Sequence, residues 1–464
     1  MEVLQRTANR GSVSTGYDID NSLKLEQDNT EYLHKTPGSS GNRRTFTLSG
    51  WIKRTEVNRG SGGGDYIFHA GDGDYNQSDR TIFKFNHDDT IYWGGGSAYE
   101  IKTNRVFRDT SAWYHIVMIV DTTSGTAGDR LKLYVNGVRE TSFSASSNPS
   151  QNFDYAFMKD DKQVIGYNHT DSSNPMSAYI AEVLWLDGTA ASITDLGEFD
   201  ADTGIWIPKD VSGLSVGTNG CYLDFKDASN LGNDASGGTD FTLNNITSAD
   251  QATDTPTNNF CTWNPLWTFT NMATIGNGGT SSIGGGGSVW RGAKGSMGVS
   301  KGKWYWEQKA SGSDTIVGWQ TDNCISASGS NSHNVLDTIS FYEAGNFLWI
   351  KDSTSGRNAD SASGTHANGQ IVGCALNLDS DPQTVTFYRN GSAIISDRNI
   401  DGLANKTLFP QTSHYNQTSD ANFGGYTNFT ISSAASDENG YGTFEYAPPS
   451  GYYALCTKNL AEFG

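Results

Sequence analysis

Two alternating runs in this chain end in Asn-Gly: Lys132-Leu133-Tyr134-Val135-Asn136-Gly137 and Thr386-Phe387-Tyr388-Arg389-Asn390-Gly391. A two-residue hairpin turn whose twist matches the flanking strands needs two residues at positive φ, and Asn-Gly meets that demand at the lowest steric cost. Side chains alternate across a strand, so Leu131, Leu133 and Val135 share one face before the first turn. Val385 and Phe387 do the same before the second. The two runs lie far apart in the chain, and each belongs to its own body. The expectation is an all-β chain of two antiparallel β-sandwiches in series.

The length of 464 residues is enough for two such bodies, each with its own core. Glycine is abundant at 54 residues, above the usual share of about 7%. Aromatic residues make up 12% and charged residues 18%, the reverse of the aromatic-poor, charge-rich balance of disordered chains. The net charge of −19 repels a phosphate backbone and an anionic bilayer, which argues against nucleic-acid partners and membrane docking. The longest strongly apolar run, Ile116 to Val120, has the length of a strand and is far short of a membrane span. Met1 to Tyr17 has no apolar stretch of signal-peptide length, so synthesis without secretion is expected. Cys221, Cys261, Cys324, Cys374 and Cys456 are scattered without a CxxC and do not form a disulfide framework.

Residues 1–17 read as a polar arm that packs on a neighbouring subunit or other component. Strand patterns then recur from Leu23 to Phe225, with one short helix expected over Ile193 to Phe199. Lys226 to Asn259 is rich in Asn, Asp, Thr and Gly, and is expected to be a long surface segment leading to a boundary. The domains are accordingly 1–17, 18–259 and 260–464. Trp51, Trp113, Trp185, Trp304 and Trp349 are assigned to cores.

Three ordered segments make residues 20–225 resemble the concanavalin A-like, laminin-G/pentraxin family of jelly-roll sandwiches. They are Phe46 to Lys53, Trp113 to Asp121 followed by Leu131 to Gly137, and Val164 to Gly166 followed by Tyr179 to Asp187. Residues 265–464 resemble a SPRY domain, a sandwich used for partner recognition. Here the matching segments are Gly302-Lys303-Trp304-Tyr305-Trp306-Glu307, Val372 to Asp379 with Val385 to Gly391, Leu408 to Pro410, and Asn422 to Gly424. The pair in series, with Asp254 to Asn259 between them and the ending Pro448 to Cys456, resembles bacteriophage virion-associated proteins. That resemblance implies a tail-fibre, tail-tip or capsid-surface protein located in the virion. It would be a homo-oligomer partnered by other virion proteins and by a host cell-surface glycan or protein.

Two kinds of site are candidates. In Asp72-Gly73-Asp74-Tyr75-Asn76-Gln77-Ser78-Asp79, oxygen side chains at alternate positions can turn inward around a hard cation such as Ca2+. The resemblance pairs this loop with Tyr167 to Asp171, adding Asn168 and Asp171 as ligands; a solvated acidic turn is the plainer reading. Tyr92 and Trp93, ahead of three glycines, are placed like a loop platform on which a sugar ring stacks. His414, Tyr415 and Asn416 offer a similar site in the second body, and core packing is the alternative for each ring. Catalytic signals are weak. Glu182 and Asp187 are five apart, so strict alternation puts them on opposite faces, where they cannot flank one glycosidic bond. The eight histidines show no metal-ligand spacing, and Gly292-Ala293-Lys294 breaks the phosphate-loop pattern. The expected function is non-enzymatic attachment to a host surface through sandwich loops. The alternatives are a virion polysaccharide depolymerase, with carboxylates assembled across loops, and a cellular carbohydrate-binding adhesin.

Overall fold

The computed structural model describes residues 16–57, 63–71, 79–95, 100–170, 173–267, 271–285, 289–312, 314–322, 337–343, 347–351, 356–361 and 368–464. The chain divides between Thr257 and Asn258 into two compact units, each built from packed antiparallel sheets.

In the first unit, one sheet runs Val138–Arg139, Leu131–Val135, Tyr114–Asp121, Thr45–Arg54, Ala178–Asp187, Ser22–Leu25, Gln251–Ala252, with Cys221–Leu223 also pairing Ala178–Asp187. The facing sheet runs Phe143–Ser147, Glu100–Val106, Thr90–Gly94, Thr81–Asn86, Gly64–Ala70, Gln163–Ile165, Tyr32–Lys35, Thr242–Asn244. Their inward faces meet in one apolar core that includes Phe46, Leu48, Phe83, Trp93, Ile116, Leu133, Phe157 and Trp185. The expected hairpin forms between Leu131–Val135 and Val138–Arg139, with Asn136 at φ 48° and Gly137 at φ 75°.

The outer face of the first sheet is also covered. Val117, Ile119, Leu184, Leu186 and Tyr222 pack there against Leu196 and Val211. The small hairpin Gly197–Phe199 with Trp206–Pro208 brings Trp206 onto His115, which in turn stacks on Trp51 at 4.5 Å. Trp51 is therefore buried outside the inter-sheet core, in this second layer. The expected helix over Ile193 to Phe199 shortens to Ile193–Leu196, because Gly197–Phe199 pairs as a strand. With one sheet sealed on both sides, the outer face of the other sheet becomes the place for a site.

Two expectations need correction. The Lys226 to Asn259 segment is no surface excursion: Thr242–Asn244 and Gln251–Ala252 add an edge strand to each sheet. Leu231, Phe241 and Ile246 from it enter the core. Its carboxylates are anchors, Asp250 to Lys24 at 2.7 Å and Asp254 to Lys53 at 2.6 Å, both in buried ion pairs. Tyr17, read as the end of a polar arm that packs on a neighbouring subunit or other component, instead bonds Glu182 of its own chain at 3.1 Å through its hydroxyl.

The second unit stacks the sheet Thr274–Gly276, Ser281–Ile283, Thr418–Asn422, Lys303–Ala310, Ile371–Asn377, Thr384–Arg389, Ser392–Asn399 on the sheet Trp290–Lys294, Leu408–Tyr415, Thr315–Thr321, Thr338–Tyr342, Phe347–Lys351, Gly356–Ser361. Trp304, Trp306, Trp319, Phe341 and Phe387 fill the space between them. A C-terminal helix, Thr457–Phe463, escaped the periodicity reading because it spans only two turns. Among the described residues, no helix is long and apolar enough to cross a membrane.

Candidate functional site

On the second sheet of the first unit, register places four residues side by side on four neighbouring strands: Tyr66 opposite Lys84, Lys84 opposite Tyr92, and Tyr92 opposite Lys102. Alternation turns all four away from the core, whereas Phe83, Phe85, Trp93 and Ile101 point into it. The Lys84 ammonium lies over both rings, 5.0 Å from Tyr66 and 5.8 Å from Tyr92. Together with Ile82, Asn86 and Glu100 these residues line a cleft of about 170 Å3. Lys102 is held by Asp88 at 2.7 Å. Burial opposes charge on Asp88, but bonds from Lys102 and Thr90 hold its carboxyl well below the usual range.

Gly94 shapes this cleft. A Cβ there would stand 2.6 Å from the Tyr92 hydroxyl, so the bare glycine lets the phenol lie down across the sheet. Tyr92 is thus a strand residue on an open sheet face, not a loop platform. Its neighbour Trp93 is fully buried, stacked on Phe157 at 5.6 Å, because the next residue along a strand faces the other way. Trp93 offers no face to a ligand.

The second aromatic candidate also separates into its parts. His414 is fully buried, bonded to Ser282 at 2.8 Å, and burial with nearby Arg291 pushes its pKa down to about 4. Tyr415 is half-buried against Trp290, which also meets Tyr342, forming a ring cluster on the outer sheet face. Asn416 is exposed at φ 52° in the turn that follows.

Of the proposed calcium ligands, Asp72, Asp74, Asn76 and Asp171 lie outside the described residues. Asp79 sits 3.6 Å from Lys159. The Asn168 side-chain oxygen accepts a 3.0 Å bond from the buried Arg80 guanidinium, so ligation by Asn168 would compete with that bond. Arg80 also donates to His69 Nε2 at 3.3 Å, and His69 Nδ1 lies 3.1 Å from His169 Nδ1. This histidine pair was invisible in the sequence, where the two are 100 residues apart.

The two carboxyls weighed for catalysis serve separate structural tasks. A β-bulge after Ala181 puts Glu182 at φ 47° and breaks the strict alternation assumed from the sequence. Burial raises the Glu182 pKa to about 7, against hydrogen bonds from Tyr222 and Tyr17 that lower it. Asp187 accepts from the backbone N–H groups of Asn42 and Asn219 at 2.6 and 3.0 Å. Cys221, Cys261, Cys374 and Cys456 are buried and unbonded to one another.

Comparison with known proteins matches one segment in each unit. Residues 27–191 match the family described as the Concanavalin A-like lectin/glucanases superfamily, and residues 303–426 match the SPRY domain. The chain carries a concanavalin A-like domain followed by a SPRY domain. Similar solved structures include the SPRY domain of human HERC1 (16% identity, 32% of this chain and 91% of that one, TM-score 0.26). A Bacteroides ovatus protein described as a candidate carbohydrate binding protein is 18% identical over 49% of this chain and 59% of its own, with TM-score 0.32. The heptameric SAP-like pentraxin of Limulus polyphemus is 16% identical over 45% of this chain and 94% of its own, with TM-score 0.30. No curated protein matches the chain in sequence.

Proposed function

We propose that this chain is a non-enzymatic recognition protein that binds cell-surface saccharide through the Tyr92 face of its first sandwich. The observation that carries this reading is the row Tyr66, Lys84, Tyr92, Lys102 around one shallow cleft. A pyranose ring has an apolar C–H face and a rim of hydroxyls. The half-buried Tyr92 ring suits the first, backed by the buried Tyr66; the ammonium groups, the Asn86 amide and the Glu100 carboxylate suit the second. A cleft of about 170 Å3 takes a single sugar unit and so binds weakly. Useful attachment then comes from many copies acting together. The commitment of Glu182 to two tyrosines, and of Asp187 to backbone amides, supports binding over hydrolysis.

The finer reading places many copies on a bacteriophage particle, as a tail-fibre, tail-tip or capsid-surface protein that docks on other virion proteins and attaches the particle to its host. Its support is the order of the two domains and the motifs that join and close them. Calcium, if it takes part, would be held by the 72–79 and 168–171 loops.

The test is a glycan array probed with the full chain. Tyr92→Ala is expected to weaken the best hit about tenfold, and Gly94→Ala to weaken it by lifting the same ring. Unchanged binding in both variants would remove the Tyr92 face from the function. Immunogold labelling of intact particles tests the virion placement, which unlabelled particles would overturn. Sustained release of new reducing ends from host glycan would replace binding with depolymerase activity. Attachment that survives EGTA would dispense with calcium.

A further inference from the structure

A second, larger cavity of about 420 Å3 opens in the first sandwich where three loops meet: Lys35 to Ser39, Val216 to Gly220, and Ser236 to Thr239. Its lining carries no aromatic ring. It presents the hydroxyls of Ser39, Thr218 and Ser236, bare backbone at the glycines, and one charged group, Lys35.

Lys35 is the element that gives the cavity its charge. The residue is 7% exposed, and its ammonium bonds the Gly220 carbonyl at 3.1 Å and lies 4.8 Å over the Phe241 ring. Three other buried basic residues of this unit, Lys24, Lys53 and Arg54, meet carboxylates at 2.6 to 2.9 Å, while buried Arg80 bonds Asn168 and His69. Among the described residues, no carboxylate comes within 4.0 Å of the Lys35 ammonium. An ammonium has three N–H donors, and a buried cation without a counter-charge is costly. The nearby buried carboxylates serve the loops. Asp187 takes the Asn219 N–H, and Asp234 takes the N–H groups of Tyr222 and Ser236, so they hold the walls without lining the cavity.

We propose that this cavity binds an acidic sugar unit, the anionic group of which pairs with Lys35 while its hydroxyls bond the surrounding Ser and Thr side chains and loop backbone. The volume is within the range of small-ligand sites, roughly 300–1,000 Å3. Glycine-lined walls allow ring hydroxyls to approach the main chain closely. The chain's net negative charge acts at long range and is screened beyond about 8 Å at physiological salt. Closer in, Lys35 is the one charged group in the lining, set against the carboxylates of Asp187 and Asp234 behind the walls. This inference rests on the saccharide-binding reading, but it assigns a separate site and a ligand class to it.

The test titrates the full chain with D-glucuronate, D-glucose 6-sulfate, D-glucose and inorganic sulfate at physiological ionic strength. At least one acidic sugar is expected to bind about tenfold or more tightly than glucose. Inorganic sulfate alone should not displace it. Lys35→Met keeps the stem on Phe241 and should cost about tenfold or more, whereas Lys35→Arg should retain binding. If Lys35→Met does not fold, Thr218→Val and Ser39→Ala leave the ammonium in place and should each weaken binding several-fold. Equal affinity for glucose and both acids, full competition by sulfate, no binding of either acid, or indifference to the rim variants would each overturn the proposal. Loss of array binding in Tyr92→Ala alongside a silent Lys35 cavity would refute only this second site. A chain that binds no saccharide at all would refute the broader reading.

Discussion

Asn136-Gly137 in the first sandwich and Asn390-Gly391 in the second make nearly the same turn, with φ of 48° and 75° against 46° and 77°. In each, the asparagine Oδ1 accepts a bond from a neighbouring strand's backbone, from the His115 N–H at 2.7 Å and from the Ile371 N–H at 2.9 Å. The surroundings differ. Trp206, itself buried, is wedged over Gly137, whereas the half-buried ring of Tyr446 lies over Gly391. The closing segments differ more. In the first sandwich the return of the chain is tied by charge, with Lys53 on Asp254 and Lys24 on Asp250. In the second it is tied by buried carboxyls that accept hydrogen bonds: Glu307 from the backbone N–H groups of Glu445 and Tyr446 and from Asn422, and Asp437 from the N–H groups of Tyr441 and Ala454 and from Asn459. The same hairpin chemistry thus supports two means of sealing a sheet. The ionic one holds Asp254 against Trp113 as well, at 3.0 Å, and so gathers the Thr45–Arg54 strand, the lead-in to Tyr114–Asp121 and the returning chain at one point.

The comparison can be broken most forcefully at the ionic tie. Lys53→Met strands Asp254 as an unpaired buried charge, and a loss of about 3–5 kcal/mol is expected in chemical denaturation. Hydrogen exchange should accelerate across 251–257. A loss below about 1 kcal/mol would mean that charge is not what holds this segment.

The carboxyl tie is sharpened by pH. Burial pushes Glu307 up to about 7, as it does Glu182 in the first sandwich. A carboxyl whose folded pKa exceeds its unfolded value binds its proton more tightly in the native state. Its contribution is therefore complete at low pH and is lost as pH rises from about 4.5 through about 7. Each Glu→Gln variant should gain on the wild type over that window, by up to about 3 kcal/mol, in melts followed from pH 5 to 8. The buried histidines oppose this: burial lowers His115 to about 3 and His414 to about 4. Both stay neutral in the fold, so their contribution is lost as pH falls below about 6.5. Melts that follow the same pH profile with and without Glu307 would refute the assignment.

At the turns, Gly137→Ala and Gly391→Ala should each cost about 1–2 kcal/mol for the left-handed backbone alone. Gly137→Ala should cost more, because a Cβ would stand 2.2 Å from the wedged Trp206 ring, against 2.7 Å from Tyr446. Equal thermal shifts would mean that Trp206 yields as readily as Tyr446. The smallest effect is expected at Tyr415→Ala, which should leave saccharide binding unchanged if the Tyr92 face alone is the receptor surface. A loss there would bring the Trp290, Tyr342, Tyr415 cluster into recognition.

Much of this architecture could be read from local pattern. The paired turns and the alternation before them appear where the residues predict them, and the predicted strand runs from Thr45 to Lys53 and Lys303 to Glu307 lie within strands Thr45–Arg54 and Lys303–Ala310. What failed did so for identifiable reasons. Lys226 to Asn259 looked like surface because its polar residues outnumber its apolar ones. Phe241, Leu231 and Ile246 were nevertheless enough to draw it inward, and Asp254 became a partner for a lysine 201 residues away. Tyr92 and Trp93 looked alike in sequence and proved opposite, since the glycines that suggested a loop begin at the end of a strand.

The sequence by itself determined where the paired hairpins turn, which residues share a face in regular strands, and that two sandwiches follow one another; the bulge at Glu182 was not among them. Those properties depend on neighbours within a few positions, through φ preference and the two-residue repeat. Only the tertiary structure decided which outward face stays open. The period of a strand distinguishes its two sides but says nothing of what covers them. In the first sandwich that was decided by the return of 189–216 across one sheet. The Tyr66, Lys84, Tyr92, Lys102 row was left on the other.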